Sequence, residues 1–192
     1  MTDNQPSPLP HWIRFTPVAD STQDGALRMA RAGAPAGSVL WAGEQRRGRG
    51  RQGREWLSPA GGLYFSLVLD EASLSLLPAP DHVSRLRLLP LVAGLATADA
   101  AGSEARIKWP NDVLFQGRKL AGILAEVMDR WIVLGVGINL SSAPLATAAC
   151  LAEFAAPPDP AALLDRWLAC FDARLARPDT AAEVEARLHG IG

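Results

Sequence analysis

Apolar positions recur along the chain in two distinct rhythms, and the rhythm assigns the elements. Trp12, Ile13 and Phe15 predict a short first strand. Ser21 opens a Ser-Thr-Gln-Asp run that places an acid at the third helical position, as in a capping box, so a helix is expected up to about Gly33. Compact β-prone runs follow at residues 38–42 and, after Gly61 and Gly62, at residues 63–69. Residues 81–101 repeat Leu, Val and Ala with hardly a polar face. They predict a deeply buried helix in which Pro90 marks either a kink or the first turn of the main part. Four strands then crowd together at residues 107–109, 113–115, 119–127 and 131–138, separated by short turns that favour antiparallel pairing. Asp159-Pro160 caps a helix whose Leu163, Leu164, Trp167, Leu168, Phe171 and Leu175 share one core-facing stripe, and a last helical piece spans residues 180–188 before Gly190.

Strands gathered in the middle, with helices before, among and after them, predict an α+β domain: a mixed, mainly antiparallel sheet flanked by helices, drawn here as lying on one side. No βαβ period and no internal repeat is visible. Residues 1–10, with three prolines and little to bury, read as a flexible leader, so the domain is expected over residues 11–192.

Composition narrows the function classes. Of 192 residues, 48% are hydrophobic and 20% charged, enough apolar surface for a sizeable core. Nineteen Lys plus Arg against 20 Asp plus Glu leave a formal charge of −1, which argues against a protein that coats a polyanion and makes any basic patch local. The leader lacks a charged n-region and an apolar h-region, and the apolar stretches are too interrupted to span a bilayer, so a cytoplasmic protein without membrane contact is expected. Cys150 and Cys170 show no metal-ligand or CxxC spacing and read as buried thiols.

Three segments could carry chemistry. Residues 45–56, QRRGRGRQGREW, place five arginines and three glycines in twelve positions without a Walker lysine-hydroxyl pair or a complete dinucleotide fingerprint. Glycines let backbone N–H groups approach an anion and guanidinium forks match its oxygens. The segment therefore suits an anion-binding loop that orders when its ligand arrives, although a solvated basic loop has the same composition. Next, Lys108 stands at a strand end beside the Trp109-Pro110-Asn111 turn, aimed from a rigid scaffold, or else is an ordinary edge lysine. In Gly135-Val136-Gly137-Ile138-Asn139, alternate glycines strip one face of a strand so that a flat ring can lie against the backbone; a bulge would use them equally well.

The combination GRGRQGREW (48–56), KWPNDV (108–113), RKLAGIL (118–124) and GVGIN (135–139), preceded by Ser21-Thr22-Gln23, resembles the biotin protein ligases over roughly residues 11–140. The resemblance implies a biotin/lipoate ligase-like, class II aminoacyl-tRNA synthetase-like catalytic domain. It also implies ATP-dependent biotinylation of one lysine on the biotin carboxyl carrier protein of acetyl-CoA carboxylase, through biotinyl-5′-AMP with release of pyrophosphate. Carried over by position, Ser21, Thr22, Gln23, Gln45, Arg49, Gly50, Arg51 and Lys108 are expected to hold biotin, with Lys108 and Arg51 as the catalytic cations. The family often has Asn where Gln23 stands. Gly48, Arg54, Trp56, Asn111, Lys119 and Asn139 are expected on the nucleotide side. Mg2+ is expected to accompany ATP, its ligands unassigned, and the resemblance also allows a homodimer. The chain matches the catalytic domain without the winged helix of some members or their small SH3-like domain, so no DNA contact is expected. Two rivals are a lipoate-type ligase and a non-catalytic RNA-binding module that stacks bases on Trp41 and Trp56.

Overall fold

The structure, a computed structural model, describes residues 9–188 except 103 and 176. The leader expected over residues 1–10 and the helix stop at Gly190 fall mostly outside the described residues; Leu9, within them, is buried in the main core.

Seven strands form one sheet in the order β1-β2-β3-β7-β6-β5-β4. They are β1 (Trp12–Ala19), β2 (Ser38–Gln45), β3 (Gly62–Leu69), β4 (Arg106–Lys108), β5 (Asp112–Phe115), β6 (Arg118–Met128) and β7 (Trp131–Asn139). The tight turns expected between the last four strands do set antiparallel pairs, as does the β3–β7 contact. The first pair departs from that reading. Helix α1 (Thr22–Arg31) carries the chain back so that β1 and β2 run parallel, one βαβ unit that the sequence pattern did not reveal. The outcome is the mixed, mainly antiparallel α+β sheet expected.

The helices do not lie on one side. Val39, Phe65, Leu67, Leu134 and Ile138 point to the face covered by α3 (His82–Ala101) and α4 (Pro160–Leu175). Leu40, Val68 and Val133 point the other way, onto Ala26, Leu27 and Ala30 of α1. Both faces of β2, β3 and β7 are therefore buried, which explains why β3 reads as an apolar run interrupted only by Ser66 rather than as an alternation. On the α3/α4 side the fully buried Trp167 stacks on Phe171 at 5.0 Å, meets Phe65 edge-on at 4.8 Å and donates its indole N–H to Thr97 Oγ1 at 2.8 Å. Helix α3 continues through Pro90, which lies inside it rather than in its first turn. A short α2 (Glu71–Ser75) precedes it, and α5 (Thr180–Arg187) is tied to α3 and α4 by ion pairs among Asp99, Arg174, Glu183 and Arg187. No helix among the described residues is long and apolar enough to cross a membrane.

Candidate active site

Helix α1 covers only part of its face of the sheet, and the remainder is hollow because the strands there carry small side chains. Across the sheet, Ser66 of β3 stands opposite Gly135 of β7; one row on, Gly137 of β7 stands opposite Gly122 of β6. Alternation along β6 and β7 sends these positions to the face away from α3 and α4. Over this floor closes the connection between β2 and β3, which contains the arginine-glycine segment. The result is a cavity of about 510 Å³, within the range of pockets that hold small organic ligands.

The flat ring that the glycines admit is the chain's own. Trp56 lies on the floor so closely that a Cβ at Gly137 would fall 2.3 Å from its Nε1, and one at Gly122 2.8 Å from its Cζ3. Lys119 Nζ sits 5.1 Å from the ring centroid, in cation–π range, and pairs with Asp112 at 2.7 Å. The Trp56 N–H is buried and meets no acceptor among the described residues.

One end of the cavity is a polar, buried network. Thr22 donates its N–H and hydroxyl to Gln45 Oε1 at 2.7 and 3.0 Å, and Gln45 Nε2 donates to Ser58 at 2.8 Å. Ser66 is hydrogen-bonded to Thr22 Oγ1 at 2.9 Å and to Gln23 Oε1 at 3.1 Å. Gln23 in turn donates to the Val133 carbonyl at 2.9 Å and to Glu126 at 3.2 Å. The other end is cationic and open, with Lys108, Arg51, Arg54 and Lys119 beside Asn111, Asp112 and the 70% exposed Trp109. Burial first, and nearby Glu44 second, push the Tyr64 phenol up to about 12, so this residue beside the floor stays neutral while donating to the Pro59 carbonyl.

The arginine loop is partly neutralised from within, at Arg47 and Arg49. Arg47 pairs with Asp20 at 2.8 Å; Arg49 pairs with both Asp24 and Glu126 at 2.7 Å; Arg51 donates to Asn111 Oδ1 at 3.2 Å. Backbone bonds from Trp56 N–H to the Gly48 carbonyl, 2.9 Å, and from Gly50 N–H to the Arg54 carbonyl, 2.7 Å, fold the loop on itself. Internal carboxylates thus supply countercharge to Arg47 and Arg49, and the charges of Arg51 and Arg54 are left to face the cavity.

Of the residues singled out from the sequence, Thr22, Gln23, Gln45, Arg49, Gly50, Arg51, Arg54, Trp56, Lys108, Asn111 and Lys119 line this one cavity. Three do not. Ser21 is the buried cap of α1, its side chain facing Asp24 N–H. Gly48 is packed under the Trp56 carbonyl and Ser58 with no room for a Cβ. Asn139, buried at the end of β7, donates to the carbonyls of Ala149 and Lys119, so it braces the strand that carries Lys119. Ser66 and Glu126 escaped the sequence reading, Asp24 was read only as the acid of a helix cap, and Trp109 and Asp112 only as parts of the KWPNDV segment without a role of their own. The available signals were a serine inside an otherwise apolar strand and an acid in mid-strand, each meaningful only once the opposite strand is known. Trp41 packs on Phe15 at 4.6 Å and against the α3/α4 core, on the face away from Trp56, so the two tryptophans do not make one stacking platform.

Comparison with known proteins identifies the family and the fold. The family model described as "Biotin/lipoate A/B protein ligase family" matches residues 15–141. A protein of Mycobacterium tuberculosis named biotin--[acetyl-CoA-carboxylase] ligase is 36% identical over 200 residues, covering 94% of this chain and 73% of that protein. Among solved structures, the biotin protein ligase of Aquifex aeolicus in complex with biotin and ATP superposes with a TM-score of 0.76 at 30% identity, covering 92% of this chain and 78% of that one. The Leishmania major biotin protein ligase in complex with biotinyl-5-AMP does so with a TM-score of 0.82 at 25% identity, covering 94% and 82%.

Proposed function

Because the chain belongs to the biotin/lipoate A/B protein ligase family, we propose that its cavity joins biotin to ATP and then passes the biotinyl group to a lysine of the biotin carboxyl carrier protein of acetyl-CoA carboxylase. In the first step a biotin carboxylate oxygen attacks the α-phosphorus, and the bond to pyrophosphate breaks. In the second the lysine amine, having lost its proton, attacks the acyl carbon of biotinyl-5′-AMP and AMP departs. Neither step requires a nucleophile from the enzyme. What the protein must do is bring two anions together, balance the charge that develops on phosphorus and keep water from the acyl-adenylate.

The observation that carries this reading is the polarity gradient of a single cavity. Thr22, Gln23, Gln45 and Ser66 form a neutral end rich in donors and acceptors, suited to a ureido ring, and a cationic end starts within the same space. The apolar chain of biotin would pass between them over the Trp56 ring that lies on the Gly122–Gly137 floor. Arg51, turned toward Asn111, would close over the adenylate, and Arg54 would add charge at the mouth. The two lysines divide the main electrostatic role that was expected of Lys108, beside Arg51. Lys119, fixed between Asp112 and the Trp56 ring, is the one held against the floor where carboxylate and α-phosphate would meet; Lys108, exposed on the rim, suits the departing pyrophosphate. Among the described residues no group of three or more acidic, His or Cys side chains is gathered to hold a cation. Mg2+ would arrive with ATP, ligated mainly by phosphate oxygens and water, with Asp112, a carboxylate of the cavity lining, available to add one ligand.

Exchange of labelled pyrophosphate into ATP tests the first step. Exchange that depends on biotin supports the reading. Exchange only with lipoate would move the substrate to the sister activity, and salt-sensitive RNA retention without any exchange would replace the ligase with a binding module.

A further inference from the structure

Glu126 stands where two parts of the site meet. It lies on β6 beyond Gly122, the last residue of that strand paired with β5, so its side chain is reached both from the floor and from the loop above. One carboxylate oxygen accepts from Arg49 Nη2 at 2.7 Å; the other accepts from Gln23 Nε2 at 3.2 Å. Through Gln23 it joins the Ser66–Thr22–Gln45 network at the polar end of the cavity. Through Arg49 it joins the arginine loop, with Asp24 of α1 on the other guanidinium nitrogen at 2.7 Å.

We propose that Glu126 is a positioning residue that couples the polar end of the cavity to the arginine loop, holding Arg49, and with it the loop, over the substrates. The argument rests on the ligase reading for what fills the cavity, and on geometry alone for the hold on Arg49. A guanidinium held by two carboxylates on different elements has its direction set, whereas one carboxylate would leave it a hinge. A ligand that engages the Gln23 amide competes with Glu126 for it. Glu126 is then left wholly to Arg49, and the loop tightens. Coupling of this kind is reciprocal, so a loop loosened at Arg49 must also weaken binding at Gln23.

Limited trypsin digestion reads the loop directly, since its five arginines, Arg46, Arg47, Arg49, Arg51 and Arg54, are cleavage points. Without ligand, Glu126→Gln, which keeps the shape and loses the charge, is expected to be cut in this loop about tenfold faster than wild type, the effect of ~1.4 kcal/mol. Glu126→Asp should recover part of the difference. Biotin should slow cleavage of the wild type and protect Glu126→Gln much less, a difference that a merely structural role would not produce. Equal ligand-free cleavage of wild type and Glu126→Gln overturns the hold on Arg49, and equal protection by biotin overturns the coupling. If wild type shows no biotin-dependent exchange, the ligase reading falls, while the ligand-free digestion still decides the hold. Should Glu126→Gln melt well below wild type, Glu126→Asp, digested below its own transition, carries the same comparison.

Discussion

Gly137→Ala is the most direct test of how the floor works. The added methyl would sit 2.3 Å from Trp56 Nε1, 2.6 Å from Cε2 and 3.1 Å from Cδ1. Non-bonded heavy atoms settle at about 3.5–4.0 Å, so the indole must retreat by at least ~1.2 Å. Its retreat leads away from the strand and into the cavity, and no hydrogen bond from its N–H, among the described residues, resists the move. Because open space accepts the displaced ring, the stability cost should fall at the low end of overpacking, about 1 kcal/mol, or roughly 3 °C in Tm. Catalysis should suffer far more. A misplacement of ~1 Å in a site that aligns reacting groups costs on the order of a hundredfold, and here the displaced ring also takes space from the substrate and carries Lys119 off its contact. We therefore expect kcat/KM in biotin-dependent pyrophosphate exchange to drop about a hundredfold while the melting curve hardly moves. In a Trp56→Leu background the same substitution should cost less than about fivefold, because the clash partner has gone. A Gly137→Ala enzyme within twofold of wild type, or an undiminished loss in the Trp56→Leu background, would refute the claim that this indole rests on the glycine floor during turnover.

Three further outcomes follow from the same geometry. Arg51→Ala removes the guanidinium that spans to Asn111, and rapid-quench measurement should find biotinyl-5′-AMP released about tenfold sooner; unchanged retention rejects the covering role. Lys119→Ala should lower kcat for adenylate formation by about 10²–10³, the usual cost of losing a charge aimed at the transition state, whereas Lys108→Ala should cost about tenfold; the reverse order in single-turnover kinetics would return the main role to Lys108. Trp167→Ala, on the opposite face of the sheet, should destabilise by about 3–5 kcal/mol and lower Tm by about 10 °C, yet leave kcat/KM for exchange unchanged below the transition, as calorimetry and the exchange assay together would show.

The sequence by itself determined a good deal. Caps, periodicity and turn residues placed almost every element, because those signals act over a few neighbouring residues. The arginine-glycine segment, Lys108 beside its proline turn and the paired glycines of GVGIN were visible as chemistry because their residue types are unusual for the elements they occupy, whereas Lys119 entered only through the family resemblance, on the nucleotide side. Other features had no local signature. That α1 covers the face opposite α3 and α4 could not be read from β3, whose two faces are both buried and whose alternation is therefore erased. That β3 lies beside β7, and so sets Ser66 against Gly135, is a matter of register between strands about seventy residues apart in the chain. Only that register makes a hollow out of scattered small residues, seats the chain's own Trp56 in it, and brings Glu126 and Asp24 to Arg49. Local pattern tells which side of a strand a residue faces; which charges then meet across the cavity follows from packing the whole sheet.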